Sequence, residues 1–155
     1  MVLPVKLSEV AEEMALQGEE MRMYLNRRTG EMVLVTSDDE RLQEDPDALE
    51  HAPQWQQESF PKAREALESE DYLPLPDQFD IHEWAIMEAY VETIQIDRDY
   101  DRLDRAIHGK RAFRYFKDAL HDMGLFEEWM AFRQNALENI AAEWFDENSV
   151  PYVRD

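Results

Sequence analysis

Met21-Arg-Met-Tyr-Leu-Asn-Arg-Arg-Thr-Gly-Glu-Met-Val-Leu-Val-Thr36 separates a mixed fold from an all-helical one. Met21, Met23 and Leu25 alternate with Arg22, Tyr24 and Asn26, the two-residue period of a strand with one buried face. Gly30 can take the positive φ that a short hairpin loop requires, and a β-branched run follows it. The stretch predicts one antiparallel hairpin near the N-terminus. Two strands alone are marginal in water, so this ribbon needs helices to pack on or strands from elsewhere. Tyr72-Leu-Pro-Leu75 offers an edge strand, limited by Pro74.

On either side of the hairpin the period changes to that of helices. Leu7, Val10, Ala11 and Met14 recur at helical spacing, with Ser8 as an N-cap and Gly18 as a terminator. In the second half, Asp80 and Glu83 predict a cap and N3 pair opening a helix to about Gln95, with Trp84, Met87, Val91 and Ile94 on one face. A helix from about Asp97 to His108 ends at Gly109. Another begins near Lys110, carries Phe113, Phe116, Leu120 and Met123 as its stripe, and stops at Gly124. The last runs from about Phe126 to Asn148 through Trp129, Phe132, Leu137, Ile140 and Trp144, and Pro151 prevents its continuation. Short glycine-marked joints favour antiparallel neighbours. The fold class is α+β, mostly a helical bundle with one hairpin.

Residues 38–71 differ from both halves. They hold twelve acids against Arg41, Lys62 and Arg64, a net charge of -9. Ser37 with Glu40 fits a capping box, Asp45-Pro46 a second helix start, and Phe60-Pro61 precedes a third short helical pattern. These signs predict several short exposed helices or loops within one domain spanning residues 1–155. Trp55 reads as a packing anchor inside that segment.

Composition narrows the function classes. With 36 acids, 16 Lys and Arg and a formal net charge of -20, the average surface repels phosphate, which argues against nucleic acid as a partner. The absence of cysteine removes disulfides, thiolate catalysis and zinc–cysteine sites together. No apolar run is long enough to span a bilayer, and Met1-Val-Leu-Pro-Val-Lys6 lacks the features of a secretory signal. The expectation is a cytoplasmic protein that does not contact membrane. His82-Glu83 starts like a zinc-protease motif, but Ile86 stands where the second ligand belongs. No phosphate-binding glycine loop, nucleophile elbow or catalytic triad occurs, so no catalytic residue, metal ligand or cofactor is assigned.

Against this acidity, Arg105-Ala-Ile-His-Gly-Lys-Arg-Ala-Phe-Arg-Tyr-Phe-Lys117 holds five basic residues and no acid. On a helix, Arg114, Lys117 and His121 fall on the side away from the Phe113-Phe116-Leu120 stripe. Lys110 and Arg111 sit by the helix start, where free amides and the macrodipole also favour an anion. Lys110, Arg111, Arg114 and Lys117 are therefore the candidate binding residues. The bland alternative is internal pairing, for example of Arg114 with Asp118.

Leu75-Pro-Asp-Gln-Phe-Asp-Ile-His-Glu-Trp-Ala-Ile-Met-Glu88, Ala106-Ile-His-Gly-Lys-Arg-Ala-Phe-Arg-Tyr-Phe-Lys-Asp118 and Trp129-Met-Ala-Phe-Arg133 form an ordered series of motifs. Glu143-Trp144, Glu147-Asn148 and Pro151 continue it. In these segments, and in the hairpin from Tyr24 to Val35, the chain resembles the uncharacterised bacterial protein family 0158. The resemblance implies no activity, substrate or catalytic residue.

The residues themselves favour a non-enzymatic interaction or regulatory module that binds an acidic protein surface or a phosphate-bearing ligand through the basic patch. Self-association, basic patch to acidic 38–71 segment, is a further option. The rivals are a small carboxylate-dependent hydrolase or nuclease, and a nucleic-acid-binding protein.

Overall fold

The structure, a computed structural model, describes residues 3–155, so Met1 and Val2 of the leading segment lie outside it. Helices account for 64% of the described residues, and a small sheet joins them. In chain order a two-residue strand β1 (Val5–Lys6) leads into α1 (Leu7–Leu16). The hairpin is β2 (Met21–Asn26) and β3 (Met32–Thr36), followed by α2 (Ser37–Glu44), a 3₁₀ turn (Pro46–His51) and α3 (Gln54–Glu68). Then come β4 (Tyr72–Pro74), a single turn α4 (Gln78–Ile81) and α5 (Glu83–Val91). The chain continues through α6 (Asp97–His108), α7 (Ala112–Met123), α8 (Phe126–Glu147) and β5 (Tyr152–Val153).

The hairpin forms in the expected register, with Met21 opposite Thr36 and Leu25 opposite Met32. It follows a complete helix, so it does not stand at the very start of the chain. Tyr72-Leu-Pro completes the sheet: β4 pairs antiparallel with β2, giving the order β3-β2-β4. Pro74 is tolerated because β4 is an edge, where a missing N–H breaks no inner ladder.

Period-two alternation gives each face of this sheet its own core. Met23 and Leu25 point into the larger one, with α1 residues Leu7, Val10, Ala11 and Met14 and α8 residues Leu137, Ala141, Ala142 and Phe145. Its aromatic centre is Tyr90, Phe116 and Trp129, in edge contacts with centroids 5.0–6.4 Å apart. Each of these fully buried side chains contributes roughly 1.5–3 kcal/mol or more of burial free energy. On the other face, Val33, Val35 and Tyr72 meet Ala63 and Ala66 of α3.

The short helical pieces expected in residues 38–71 form at Ser37–Glu44 and Pro46–His51, but the third pattern belongs to a fifteen-residue helix, α3, with Pro61 inside it, whose Ala63 and Ala66 cover the sheet. Trp55 is not an anchor; it is 64% exposed, and the buried ring of α3 is Phe60.

Cap residues also moved. Thr36 and Asp39 form the capping box of α2, one position before Ser37 and Glu40. Asp77 and Asp80 cap α4, after which His82 takes φ 53° and a new helix starts. Glu83 therefore opens α5 without serving as the N3 partner of Asp80. Ser8 lies within α1; its amide and hydroxyl both donate to the Asp155 carboxylate, which does the capping from the far end of the chain. Beside this contact β1 and β5 pair in parallel, Val5 opposite Tyr152.

Candidate functional site

The basic stretch occupies the corner where α6 turns into α7. Ile107 and Leu103 anchor α6, Phe116, Ala119 and Leu120 anchor α7, and Gly109, Lys110 and Arg111 make the joint. Arg111 adopts φ 55°, a left-handed conformation that costs an arginine on the order of 1 kcal/mol. No side chain caps α7 and no acid lies in its first turn. The positive end of the helix is thus left next to two cations.

Lys110, Arg111, Arg114 and Lys117 are all exposed, and among the described residues none of them forms an ion pair. Arg105 shares this state; its Nε donates only to the backbone carbonyl of Asp101, at 3.3 Å. Elsewhere in the chain Arg22, Arg28, Arg41, Lys62, Arg64, Arg102 and Arg133 each hold a carboxylate. The expected alternative, Arg114 with Asp118, does not form. The Lys117 ammonium instead lies 5.0 Å from the centroid of the Phe113 ring, within cation–π range.

Phe113 belongs to this surface and not to the stripe of α7. It is 43% exposed, and Tyr115 is 51% exposed. Trp84 borders the corner from α5: its indole N–H donates to the Ile107 carbonyl at 2.8 Å, and its ring meets His108 edge-on at 5.4 Å. His108 is itself held to the Asp104 carbonyl at 2.7 Å. His121 stacks on Phe126, centroids 4.2 Å apart, and so is engaged at the other end of α7.

The four sequence candidates do not converge on one point. Helical geometry places Arg114 and Lys117 on the outer side of α7, while Lys110 lines a groove between α6 and α7. That groove also involves Arg102 and Arg105, neither of which was among the candidates. Their signal was present: Arg98, Arg102 and Arg105 stand at i, i+4 and i+7, so one flank of α6 is cationic.

A smaller cavity of about 220 Å³ lies near the start of β2. There Arg22 donates to the Leu75 carbonyl at 3.1 Å and faces Asp77 at 3.6 Å, and its buried Nε has no acceptor among the described residues. The surrounding acids include Glu19, Glu20 and Glu40. Its one cation is already engaged, which makes it a poorer receptor for an anion than the α6–α7 corner. Among the described residues no helix is long and apolar enough to cross a membrane.

A family model described as uncharacterised protein family UPF0158 matches residues 2–155. No curated protein and no solved structure matches the chain.

Proposed function

We propose, for a chain that belongs to the uncharacterised protein family UPF0158, that it is a binding module whose α6–α7 corner receives an acidic surface of a partner protein. One observation carries this reading: among the described residues, Lys110, Arg111, Arg114 and Lys117 form no ion pair, in a chain with 36 acids. Internal pairing is the cheapest use of a surface cation, and here it is not used. Exposed Trp84, Phe113 and Tyr115 flank the cations, which matches the Trp, Tyr and Arg composition of energetic centres in protein interfaces.

Distance decides how such a patch works on so acidic a molecule. At an ionic strength of about 0.01 M the screening length is about 30 Å, so an acidic partner feels the whole chain and is repelled. At about 0.15 M it falls to about 8 Å, and a partner at the corner feels mainly the local cations. The same charges that attract at the corner are thus masked by repulsion elsewhere, which selects one orientation of approach. Phe113 and Tyr115 then supply apolar contact that salt does not weaken.

Titration of the whole chain with a synthetic Asp/Glu-rich peptide carrying one Trp tests this. Saturable binding that Arg111→Glu/Arg114→Glu/Lys117→Glu removes supports the module; equal binding by both folded proteins refutes it.

A further inference from the structure

The seam between α6 and α7 holds a feature that the acidic-surface reading leaves unused. Arg102 crosses it to Asp122 at 2.7 Å, a strut joining the two helices. On the side of Arg98 and Met123 lies a hollow of about 440 Å³, and on the side of Gly109 and Lys110 one of about 620 Å³. Ala106, Gly109 and Ala119 line the larger hollow without any long side chain, and Tyr115 flanks it. Asp122 is neutralised by Arg102. Three charges in that lining have no ionic partner among the described residues: Arg105, Lys110 and Asp118.

We propose that the larger hollow binds a small zwitterion, with a dianionic head on Arg105 and Lys110 and an ammonium group on Asp118. Volume permits it, since ligand sites run from about 300 to 1,000 Å³. A simple anion would satisfy the two cations but would leave the Asp118 carboxylate, which lines the same hollow, without a partner. A simple cation would have the converse problem. Only a ligand bearing both signs meets all three charges, and the short residues beneath leave room for the carbon chain between them. The Arg105 fork suits a phosphomonoester or a carboxylate, which it can hold through two parallel hydrogen bonds. Lys110 and Tyr115 are common to this site and to the protein-binding surface, but Arg111, Arg114 and Lys117 do not line the hollow and Arg105 and Asp118 are not part of that surface, so the two readings stand or fall separately.

Calorimetric titration of the full chain with O-phosphoethanolamine, L-aspartate and inorganic phosphate tests the site. The better zwitterion is expected to bind about tenfold or more tightly than phosphate, the size of one charge-assisted hydrogen bond. Arg105→Gln should weaken it by about tenfold or more, and Asp118→Asn should erase the preference over phosphate. Arg41→Gln, on α2 and outside the lining of the hollow, should leave all three affinities unchanged. Tighter phosphoethanolamine assigns a phosphomonoester head, and tighter aspartate a dicarboxylate. The proposal is overturned if no probe saturates below about 20 mM, if all three bind within about threefold, or if Arg105→Gln binds like wild type. Unchanged circular dichroism in each variant separates these outcomes from unfolding.

Discussion

Arg133 holds Glu83 with its Nε 3.1 Å from each carboxylate oxygen, joining the first residue of α5 to the middle of α8 across fifty residues of chain. The side chains are only 20% and 28% exposed, so water screens the pair little. Removing either partner leaves a half-buried charge without its counterpart. Arg133→Met and Glu83→Gln should each lose about 1–3 kcal/mol in urea unfolding, and the double variant clearly less than their sum. Strict additivity would mean that the pair is merely a neighbourly contact.

A second contact predicts a pH dependence. Glu31 accepts from the Tyr72 hydroxyl at 2.6 Å and pairs with Lys62 at 2.7 Å, tying the start of β3 to β4 and α3. Hydrogen bonds from Lys62 and then Tyr72 hold its carboxyl below the ordinary 4.5. A depressed pKa in the folded state means the unfolded chain takes up the proton first. The contribution is therefore present above about pH 4.5 and is lost as pH falls through the folded value. Wild type should melt above Glu31→Gln at pH 7, with the gap closing as the pH falls below about 4.5. A gap independent of pH would show that the charge plays no part.

Two tryptophans should behave as opposites. Trp129 is 1% exposed, whereas Trp55 is 64% exposed. Trp129→Ala should cost about 3–5 kcal/mol, and Trp55→Ala should stay within about 0.5 kcal/mol of wild type. A large loss from Trp55→Ala would restore it as an anchor.

Salt provides a prediction specific to a basic corner on an acidic chain. Affinity for the acidic peptide should pass through a maximum near an ionic strength of about 0.1 M and fall again towards about 1 M. A steady decline from the lowest salt would mean that the net charge of -20 is not felt at the corner.

Hydrophobic period was the legible part of this fold. Met23 and Leu25 announced a strand, Phe116 and Leu120 a helix face, and Gly30 and Gly124 their turns, with φ of 82° and 70°. Caps were readable only to within a few residues, because Thr36/Asp39 and Ser37/Glu40 carry nearly the same chemistry one position apart. Asp77/Asp80 and Asp80/Glu83 pose the same ambiguity, and tertiary packing of Ile81 and Ile86 resolves it. Phe113 and Trp55 misled for one reason: an aromatic at helical spacing looks alike whether a neighbouring element covers it or not. At the candidate site, the local excess of cations was visible, but their lack of partners was not, since pairing depends on distant acids. Arg105, counted in the basic stretch, was not assigned as a binding residue because its place in the groove depends on α7 lying alongside α6.

The most direct measurement is capture from a cell lysate at about 0.1 M salt, where local charge outweighs the global field. Wild type is compared with Arg111→Glu/Arg114→Glu/Lys117→Glu, after matching circular dichroism and melting, and retained species are identified by mass spectrometry and absorbance. The account predicts an acidic protein held by wild type and lost from the variant. Identical recoveries from the two folded proteins, or nucleic acid as the retained species, would contradict it.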